Sequence, residues 1–484
     1  MRRQDSATNS RDVSPGKIEI GNSRGDGIDL TVLGVCTGTG LLHLDCALVR
    51  FGQKTPSAPL RVKLLQVSAH YTLNPVTNLL CSQSDSIPIL PAVRDEVISQ
   101  IRAGGRARSK PAPHLDDLVG ILFSDGIKAF CRKHGIEPSS IDLVGTNSEA
   151  LKISDAKHNV DGAREHPLYW NAIVAAETGI STVYDFTIIE RAVVRPHVHP
   201  TTYVDRLFLR HPSKFRVCLN LSEVANLSFI PTQGDYGARA TMSRNVGPGS
   251  LLIDYAMRYC TSNDQSQDHD GKVASLGTIN QGIVDRFLES HDYLRSPPSR
   301  NIATEMFGDH EAQQLIDECL YSNMSEVDTL ATVTRVTAQN ILKQYQRLLS
   351  VFFPPNQKVD ELFICGPSAR NANIIDYLES ELPESVITKP LHDIGIPGDA
   401  HEAVCYAYLA LEVVLTQATE ATEPPSAPRN MYPDTVQAQT VPGRRWQELV
   451  SAVVGFSDGQ RIPVPSDVRI TGSLEAAVQG MDIR

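Results

Sequence analysis

The chain has 484 residues, which is too long for one ordinary hydrophobic core, and its 41% hydrophobic and 21% charged residues exclude a wholly disordered protein. Its net charge of −11 repels phosphate backbones and anionic membranes, so we expect neither nucleic acid nor a membrane as a partner. No apolar run approaches the ~18 residues of a membrane span, and the N-terminus lacks the apolar core of a signal peptide.

Cysteine usage indicates a reducing compartment. The nine cysteines are an odd number, include no CxxC pair, and stand mostly inside apolar stretches such as LFICG at 362–366. Buried free thiols explain this pattern better than disulfides or zinc ligands. We therefore expect a cytoplasmic protein.

A first series of elements follows a polar N-terminal segment. The segment DLTVLGVCTGTG, starting at Asp29, predicts a strand that ends in a glycine turn, and LLHLDCALVRF predicts its antiparallel partner. Residues 116–135 carry apolar side chains three and four apart and end at a glycine, which predicts a helix. IDLVGT (141–146) and STVYDFTII (181–189) are typical of buried strands.

A second series repeats this plan. FRVCLNLSEVANLSFIP (215–231) predicts two strands around a polar turn, and helical patterns follow over 250–260, 277–290 and 325–353. ELFICGPSARNANIIDYLESEL (361–382) predicts a strand, a glycine-bearing turn and a helix, and a last helix starts near Pro397. Two such series predict a duplicated α/β domain with a cleft between the halves.

The composition also predicts the domain limits. Residues 1–28 are expected to be a disordered tail, and 416–443, rich in Thr, Pro and Ala, a low-complexity linker. Residues 29–212 with 400–415 form the first predicted domain, and 213–399 form the second. The extension 444–484 is too short for its own core and is expected to contribute a helix that packs on a partner.

Four turns that follow predicted strands could hold phosphate. They are GTG (38–40), LSEVAN (221–226), GPG (247–249) and GPSARN (366–371). Phosphate groups need clustered backbone N–H donors, and glycine lets the chain approach them closely. A single glycine turn after a strand is most often only a turn, so the order and spacing of the four carry the prediction.

These turns stand in segments that resemble the anhydro-N-acetylmuramic acid kinase family of the hexokinase–actin–Hsp70 superfamily. The matching segments run in family order from about residue 30 to 415 and include GVCTGTGLLHLDCALV, AAETGISTVYDFT, LNLSEVANLSFIP, NVGPGSLLID and ELFICGPSARNANII. The resemblance implies a two-domain actin-like ATPase fold, ribonuclease H-like, with a central nucleotide cleft. It also implies ATP and magnesium as cofactors, a sugar-like substrate and a homodimer.

The resemblance makes Asp185 the catalytic base. Family members open the 1,6-anhydro bond of the sugar with water and phosphorylate the freed oxygen, and the aspartate of their ADFR motif corresponds to Asp185 of VYDFT. A carboxylate at the end of a buried strand can take a proton from water while it is held rigidly. A strand-end aspartate that only caps a turn is the alternative.

The resemblance also implies which residues bind the cofactor. These residues are Thr37, Gly38, Thr39, Gly40, Asp45, Asn226, Gly247, Gly249, Gly366, Arg370 and Asn371. Three departures from the family pattern weaken this prediction: Leu42 replaces an aspartate, Glu223 stands in a phosphate-facing turn, and Pro367 lacks an N–H donor. We expect MgATP to bind more weakly than a micromolar Kd.

The sugar pocket is expected to differ more. The implied substrate-binding residues are Glu149, Thr187, Glu190 and Glu305. Thr187 stands where the family has an arginine fork, Glu190 replaces an aspartate, and VRPHVHP (194–200) replaces a glycine-rich sugar loop. We therefore expect that 1,6-anhydro-N-acetylmuramic acid is not the substrate.

Two further interpretations concern metals and activity. His197 and His199 would share one face of a strand, but without a third ligand in range we expect no metal site in the protein. An inactive pseudokinase that keeps the fold as a binding or regulatory module is the alternative to a kinase. A Glu223 side chain that points away from the cleft favours the kinase, and one that points into it favours the pseudokinase.

Overall fold

The computed structural model describes residues 27–38, 43–68, 71–73, 80–82, 87–89, 96, 115–148, 169–189, 199–232, 241–292, 309–420, 435–457, 465 and 467–471. The strands are β1 Ile28–Thr37, β2 His43–Gln53, β3 Leu60–Ser68, β4 Tyr71–Leu73, β5 Leu80–Ser82, β6 Ile87–Pro88, β7 Leu143–Ser148, β8 Ser181–Ile189, β9 Arg216–Leu221, β10 Val224–Ile230, β11 Met242–Pro248, β12 Glu361–Cys365, β13 Ile387–Pro390, β14 Thr435–Val441 and β15 Val468–Thr471. The helices are α1 Leu115–His134, α2 Trp170–Thr178, α3 Pro200–Phe208, α4 Leu251–Cys260, α5 Gln281–Ser290, α6 Asp309–Tyr321, α7 Glu326–Phe352, α8 Ala372–Glu381, α9 His401–Glu420 and α10 Trp446–Ser457.

The first sheet has the strand order β14-β8-β7-β1-β2-β3-β15, and β6 pairs with β2. Strands β1, β2 and β3 are antiparallel neighbours, whereas β7 and β8 run parallel to β1. Alternate residues of β1 bury opposite faces: Val32 packs in the core that contains α9, and Leu33 and Val35 pack in the core that contains α1. Both faces of this sheet are therefore covered, which explains the nearly continuous apolar sequence of β1.

The second sheet has the order β11-β10-β9-β12-β13. Strands β9, β10 and β11 are antiparallel neighbours, and β12 and β13 run parallel to β9. Val217 and Leu219 of β9 face a core shared with α4, α5, α6 and α7, while Cys218 faces the core of the first sheet. Because successive side chains of β9 point to opposite faces, this strand contributes to both cores and joins the two halves of the molecule.

The two sheets share one plan, which confirms the predicted fold class. In each, three antiparallel strands follow one another in the chain, and two later strands add in parallel beside the first of them. This duplicated α/β arrangement is that of the actin-like ATPase, ribonuclease H-like, fold. The carboxyl ends of β1, β7 and β8 meet at one edge of the first sheet, where ligands of such sheets bind.

Helix α7 supports the second half of the molecule. It starts after Ser325, whose side chain accepts a hydrogen bond from the backbone N–H of Asp328. Along its buried face, Asn340 donates to the carbonyl oxygen of Val246 at 2.8 Å, and Thr337 donates to that of Gly249 at 3.1 Å. These two bonds connect the glycine turn at 247–249 to helix α7.

The C-terminal region differs from the predicted linker and extension. Helix α9 continues to Glu420, and residues 435–441 form strand β14 at the edge of the first sheet, so both ends of the predicted linker 416–443 are regular structure. The alternating sequence TVQAQTV supplies the strand that pairs with the otherwise open edge of β8. Helix α10 packs on α9 of the same chain through Leu449 and Val453.

Eight cysteines whose side chains the structure describes are free thiols, and all of these except Cys260 are buried, as the sequence predicts; they are Cys36, Cys46, Cys131, Cys218, Cys260, Cys319, Cys365 and Cys405. Within the part of the chain that the structure describes, no helix combines the length and the apolar character that crossing a bilayer requires.

Candidate active site

Asp185 stands out on strand β8 because its backbone leaves the normal strand conformation. Its φ angle is +58°, a region that costs a non-glycine residue roughly 1–2 kcal/mol. The pairing of β8 with β14 shifts register at this point, between Gln437 and Gln439. Buried neighbours flank the exposed Asp185 on both sides. A strained, exposed carboxylate between buried residues is a frequent feature of functional sites.

A glutamine from the C-terminal strand holds this carboxylate. Gln439 donates from Nε2 to Oδ2 of Asp185 at 3.3 Å and accepts a bond from the hydroxyl of Tyr184 at 2.9 Å. Sequence analysis missed Gln439, although polar glutamines alternate with apolar residues in its strand. The bond from Tyr184 orients the glutamine amide so that its NH₂ group faces the aspartate.

An open depression of about 530 Å³ lies at the N-terminus of α1 and along α2. Its lining residues are Asp116, Asp117, Tyr169, Ala172, Ile173 and Ala176. Burial raises the pKa of Tyr184, and the charges of Asp185, Tyr169 and Asp116 raise it further. Tyr169 and Asp116 line the depression, and Asp185 is not among its lining residues. Thr187, the next outward-facing residue of β8, is exposed near this edge.

The first glycine turn begins where β1 ends. Thr37 is buried, with 1% of its surface exposed, and Gly38 follows it. Asp45 of β2 pairs with Cys36 of β1 and is half-buried. Burial, together with the charges of Glu402 and Asp399, raises the pKa of Asp45 to about 8. Asp45 is therefore one member of a group of three neighbouring carboxyl groups.

The other two members stand at the start of α9. Burial raises the pKa of Asp399 to about 6, although its ion pair with Arg370, at 2.8 Å, opposes this rise. The Oδ1 atom of Asp399 is buried and has no hydrogen-bond partner among the described residues. Glu402 accepts a bond from the side chain of Asn220 at 2.9 Å. Three neighbouring carboxyl groups, one of which has a buried oxygen without a hydrogen-bond partner in the described part of the chain, suit a hard divalent cation.

Glu223 brings a carboxylate into the space beside the first turn. Its Oε1 atom lies 3.4 Å from the position that a Cβ atom would occupy on Gly38. Glu223 belongs to the turn between β9 and β10 of the second sheet, so the two predicted phosphate loops face each other across the cleft. The side chain points into the cleft, which is the orientation that the sequence analysis associated with a pseudokinase.

The predicted amide donor at Gly249 is already used inside the protein. The Gly249 N–H donates to the carbonyl oxygen of Glu223 at 2.9 Å, and that of Ser250 donates to Ser222 at 2.9 Å. A Cβ atom on Gly249 would collide with the Ser222 carbonyl oxygen. In this conformation the glycine permits close packing of the two loops and its N–H is bonded within the protein, and its role in cofactor binding stays a prediction.

The other predicted cofactor residues of the second sheet form two groups. Gly366 donates its N–H to the carbonyl oxygen of Gly398 at 3.0 Å, and Arg370 binds both Asp270 and Asp399, so this turn is joined to the acidic group. The remaining three are Asn226, Gly247 and Asn371. Asn226 instead bonds within its sheet to Asn245 and Ser243. Gly247 pairs with Ala225 in the same sheet, and Asn371 starts α8 close to Gly271.

Several expected residues lie outside the described residues. They are Thr39, Gly40, Glu149, Glu190 and Glu305. Of the two histidines in HVH, His197 also lies outside them, and His199 precedes helix α3 instead of lying on a strand, with Nδ1 2.7 Å from the hydroxyl oxygen of Thr201. The expected strand geometry of that pair is therefore wrong at His199.

Comparison with known proteins bears directly on these residues. The model of a protein family described as anhydro-N-acetylmuramic acid kinase matches residues 30–427. A protein of that name from Caldanaerobacter subterraneus subsp. tengcongensis is 28% identical over 307 residues, which are 62% of this chain and 75% of the relative. Its namesake from Crocosphaera subtropica is 24% identical over 379 residues, which are 78% of this chain and 91% of the relative. The match ends before β14, so Gln439 lies beyond the family region.

Solved structures resemble the chain only distantly. A ROK family glucokinase from Streptomyces griseus, in complex with glucose and AMPPNP, has 13% identity and a TM-score of 0.30 over 79% of this chain and 99% of its own. An activator of 2-hydroxyisocaproyl-CoA dehydratase from Clostridium difficile, with bound ADPNP, has 10% identity and a TM-score of 0.36 over 82% and 100%. Scores this low carry no argument, and the fold assignment rests on the strand order above.

Proposed function

The chain belongs to the anhydro-N-acetylmuramic acid kinase family, and from this premise we propose that it transfers the γ-phosphoryl group of ATP to an oxygen of a sugar-like small molecule. The observation that carries the proposal is the placement of Asp185, which is exposed at the carboxyl edge of the first sheet, has a left-handed backbone conformation and is held by Gln439. The family region spans most of the structured chain and includes this residue.

The chemistry assigned to Asp185 is general base catalysis. Its carboxylate would accept a proton from water or from the acceptor hydroxyl as that oxygen attacks. The bond from Gln439, at 3.3 Å, leaves one carboxylate oxygen outside this contact and fixes the direction of the group. The depression lined by Asp116 and Tyr169 would hold the sugar, because polar and aromatic groups together suit a hydroxylated ring.

The residues also fit the cofactor that a kinase requires. Asp45, Asp399 and Glu402 would hold the magnesium ion of MgATP, since burial and the charges of the other two raise the pKa of Asp45 to about 8 and a cation would favour its ionised form. Magnesium, when bound, neutralises charge on the phosphates. The phosphates would enter between Gly38 and the turn at Ser222–Glu223, where Glu223 opposes them electrostatically.

The substrate is proposed to differ from the muramyl sugar of the family. Thr187 offers a hydroxyl where an arginine fork would bind a carboxylate, so a carboxylate-free sugar is the better match. The relatives described above are named as kinases, and they give no support to a pseudokinase. The orientation of Glu223 into the cleft favours a pseudokinase. The same orientation predicts weak nucleotide binding whether the protein is a kinase or a pseudokinase. Cytoplasmic location and a homodimer stay predictions.

A product screen tests the proposal. Purified protein is incubated with MgATP and a panel of neutral, amino and anhydro sugars, with 1,6-anhydro-N-acetylmuramic acid included. Mass spectrometry then detects any phosphorylated product. We expect a sugar phosphate from at least one acceptor without a carboxylate and none from the muramyl compound. Phosphorylation of the muramyl compound alone would contradict the proposed change of specificity, and no product from any sugar would contradict the kinase assignment.

A further inference from the structure

Five chemically active side chains meet in the core between the two sheets, away from the groups assigned above. They are Asp205, Cys218, Cys365, His401 and Cys405, and none of them exposes more than 5% of its surface. Asp205 comes from α3, Cys218 from β9, Cys365 from β12, and the last two from α9. Fully buried cysteines usually pack as small apolar residues, so their grouping around one imidazole calls for an explanation.

The secondary structure explains how these side chains converge. Cys218 pairs with Phe363 and Cys365 pairs with Asn220 in the parallel strands β9 and β12, so the two cysteines are diagonal neighbours on one face. His401 and Cys405 are four residues apart on α9 and therefore lie on one side of that helix. The helix side faces the sheet side, and each contributes two possible ligands for a metal.

Part of the cluster has the spacing of a tetrahedral metal centre: Cys218, Cys365 and His401 form one group of possible ligands, and Asp205, His401 and Cys405 form a second. With Zn–S bonds of about 2.3 Å and Zn–N bonds of about 2.0–2.1 Å, two sulfur ligands lie about 3.8 Å apart and a sulfur and a nitrogen about 3.6 Å apart. The Sγ atoms of Cys218 and Cys365 are 3.7 Å apart, and Sγ of Cys405 is 3.5 Å from Nε2 of His401. The ligand atoms of Cys218, Cys365 and His401 all lie within 4.8 Å of one another.

Asp205 has a different relation to the cluster. Its Oδ1 atom is 2.6 Å from His401 Nε2, which is a hydrogen bond and is shorter than the ~3.4 Å between oxygen and nitrogen ligands of one tetrahedral zinc. The other ring nitrogen, Nδ1 of His401, is buried with no hydrogen-bond partner among the described residues. The imidazole is therefore held through Nε2 by Asp205 and Cys405, while Nδ1 is left for another partner.

We propose that Cys218, Cys365 and His401 form a buried binding site for one zinc ion that links the two halves of the molecule. On binding, two S–Zn bonds form as the two thiols release their protons, and Nδ1 of His401 binds through its lone pair while Nε2 keeps its proton and its bond to Asp205. Zinc is the expected ion because thiolate and imidazole ligands at tetrahedral spacing select it over magnesium or calcium. This revises the sequence-based expectation of no metal site.

The position of the site gives it a structural role. His401 is the first residue of α9 and adjoins Glu402, while β9 and β12 belong to the other half. The ion would therefore fix the start of α9, and with it the acidic group, against the second sheet. The zinc site uses sulfur ligands, whereas the site proposed for magnesium uses oxygen ligands. A variant can therefore lose one metal and keep the other.

Metal content of the full-length protein tests this site. The protein is loaded with zinc in reducing buffer, dialysed against metal-free buffer and measured by inductively coupled plasma mass spectrometry. We expect about one zinc per chain, and less than about a tenth of that in the double variant Cys218→Ala/Cys365→Ala. The matched control is Cys319→Ala, which removes a fully buried thiol from a different core and should keep the zinc.

The double variant could lose zinc because it misfolds, so cobalt binding is also measured on the unaltered protein. Co²⁺ in a tetrahedral thiolate site should give intense near-ultraviolet charge-transfer absorption that zinc abolishes on addition. Wild-type protein that retains no zinc and shows no such absorption would overturn the proposal. Equal zinc in the double variant would do the same, as would a Cys218–Cys365 disulfide in protein prepared with reductant.

Discussion

Asp185 combines two properties that rarely occur together in a strand. It has a left-handed backbone conformation, with φ at +58°, and an exposed carboxylate that a distant glutamine orients. Aspartate and asparagine tolerate this conformation better than other side chains do, so the position restricts which residues can replace it. Any test of its chemistry therefore needs a variant that keeps the backbone unstrained.

Asp185→Asn should abolish most activity without loss of stability. Asparagine keeps the size and the backbone preference but cannot accept the proton, so we expect turnover to fall roughly 10²–10⁴-fold. The melting temperature should stay within about a degree of wild type, because the exposed site loses no packing. Turnover and melting are measured on the same preparation. Wild-type turnover in the variant would remove Asp185 from the mechanism.

Glu223→Gln should tighten nucleotide binding. The carboxylate faces Gly38 across the cleft, and removing one negative charge near a triphosphate lowers the repulsion by about 1.4 kcal/mol or more, equal to about tenfold in Kd. Isothermal titration with MgATP measures the change. Glu379→Gln, on the exposed face of α8, is the control and should leave the Kd unaltered. An unchanged Kd for the Glu223 variant would show that its side chain leaves the phosphate path on binding.

Asp45→Asn should make stability less dependent on pH. The pKa of Asp45 is about 8 in the folded protein against an ordinary 3.8, so the folded state holds a proton that the unfolded chain has lost between these pH values. This contribution is complete below about pH 4 and is lost as pH rises through 8. Urea unfolding at pH 5 and pH 8, without nucleotide, should show a smaller loss for the variant, by on the order of 3 kcal/mol. An identical loss would mean that Asp45 is ionised throughout.

The C-terminal strand β14 contributes a residue to the site around Asp185, which is otherwise formed by β8. It closes the edge of β8 and places Gln439 on the carboxylate of Asp185 across 254 positions of sequence. Helix α10 then anchors the extension on α9. Both elements lie beyond the family region, so the proposed base, Asp185, is held by a segment that the family match does not include.

Gln439→Ala should impair the chemical step more than binding. Loss of the bond to Asp185 frees the carboxylate to rotate, so we expect kcat to fall about tenfold while KM for ATP stays constant. Gln437→Ala is the matched control, because Gln437 is exposed on the same strand opposite Thr187. Equal effects of the two variants on kcat would indicate that β14 acts only through its backbone.

At the scale of the whole molecule, the two sheets bring separate loops to one cleft. Gly38 ends a strand of the first sheet, and Glu223 lies in a turn of the second, yet their atoms approach to a few ångströms. A ligand bound between them contacts both halves, so its binding site exists only in the folded state. Binding there must therefore add to the stability of the entire fold.

MgATP should raise the melting temperature of the intact protein. At a concentration one hundred times its Kd, a ligand stabilises the folded state by about 2.7 kcal/mol. Because binding is expected to be weak, millimolar nucleotide is required, and the scan is repeated with magnesium alone as the control. No shift at millimolar MgATP in a cooperatively melting sample would exclude nucleotide binding in this cleft.

Local sequence determined the elements and the candidate base. The strand patterns at 29–37, 181–189 and 215–231, the glycine turns and the motif around Asp185 are short-range features, so the fold class and most strands could be predicted from them. The C-terminal strand was missed because its residues 435–441 sit in a composition typical of linkers. Whether such a segment pairs depends on an open sheet edge, which is a property of the rest of the fold.

Only the tertiary structure decided which side chains meet. Gln439 reaches Asp185, the carboxylate of Glu223 approaches Gly38, and Cys218 lies beside Cys365, although each pair is far apart in the chain. The N–H of Gly249 likewise has a partner that its own sequence does not specify. Strand order and helix packing set these distances, and neither is encoded in the residues next to a motif. The sequence alone therefore identified the family and its base, whereas the closed phosphate turn, the held carboxylate and the buried thiol cluster required the folded chain.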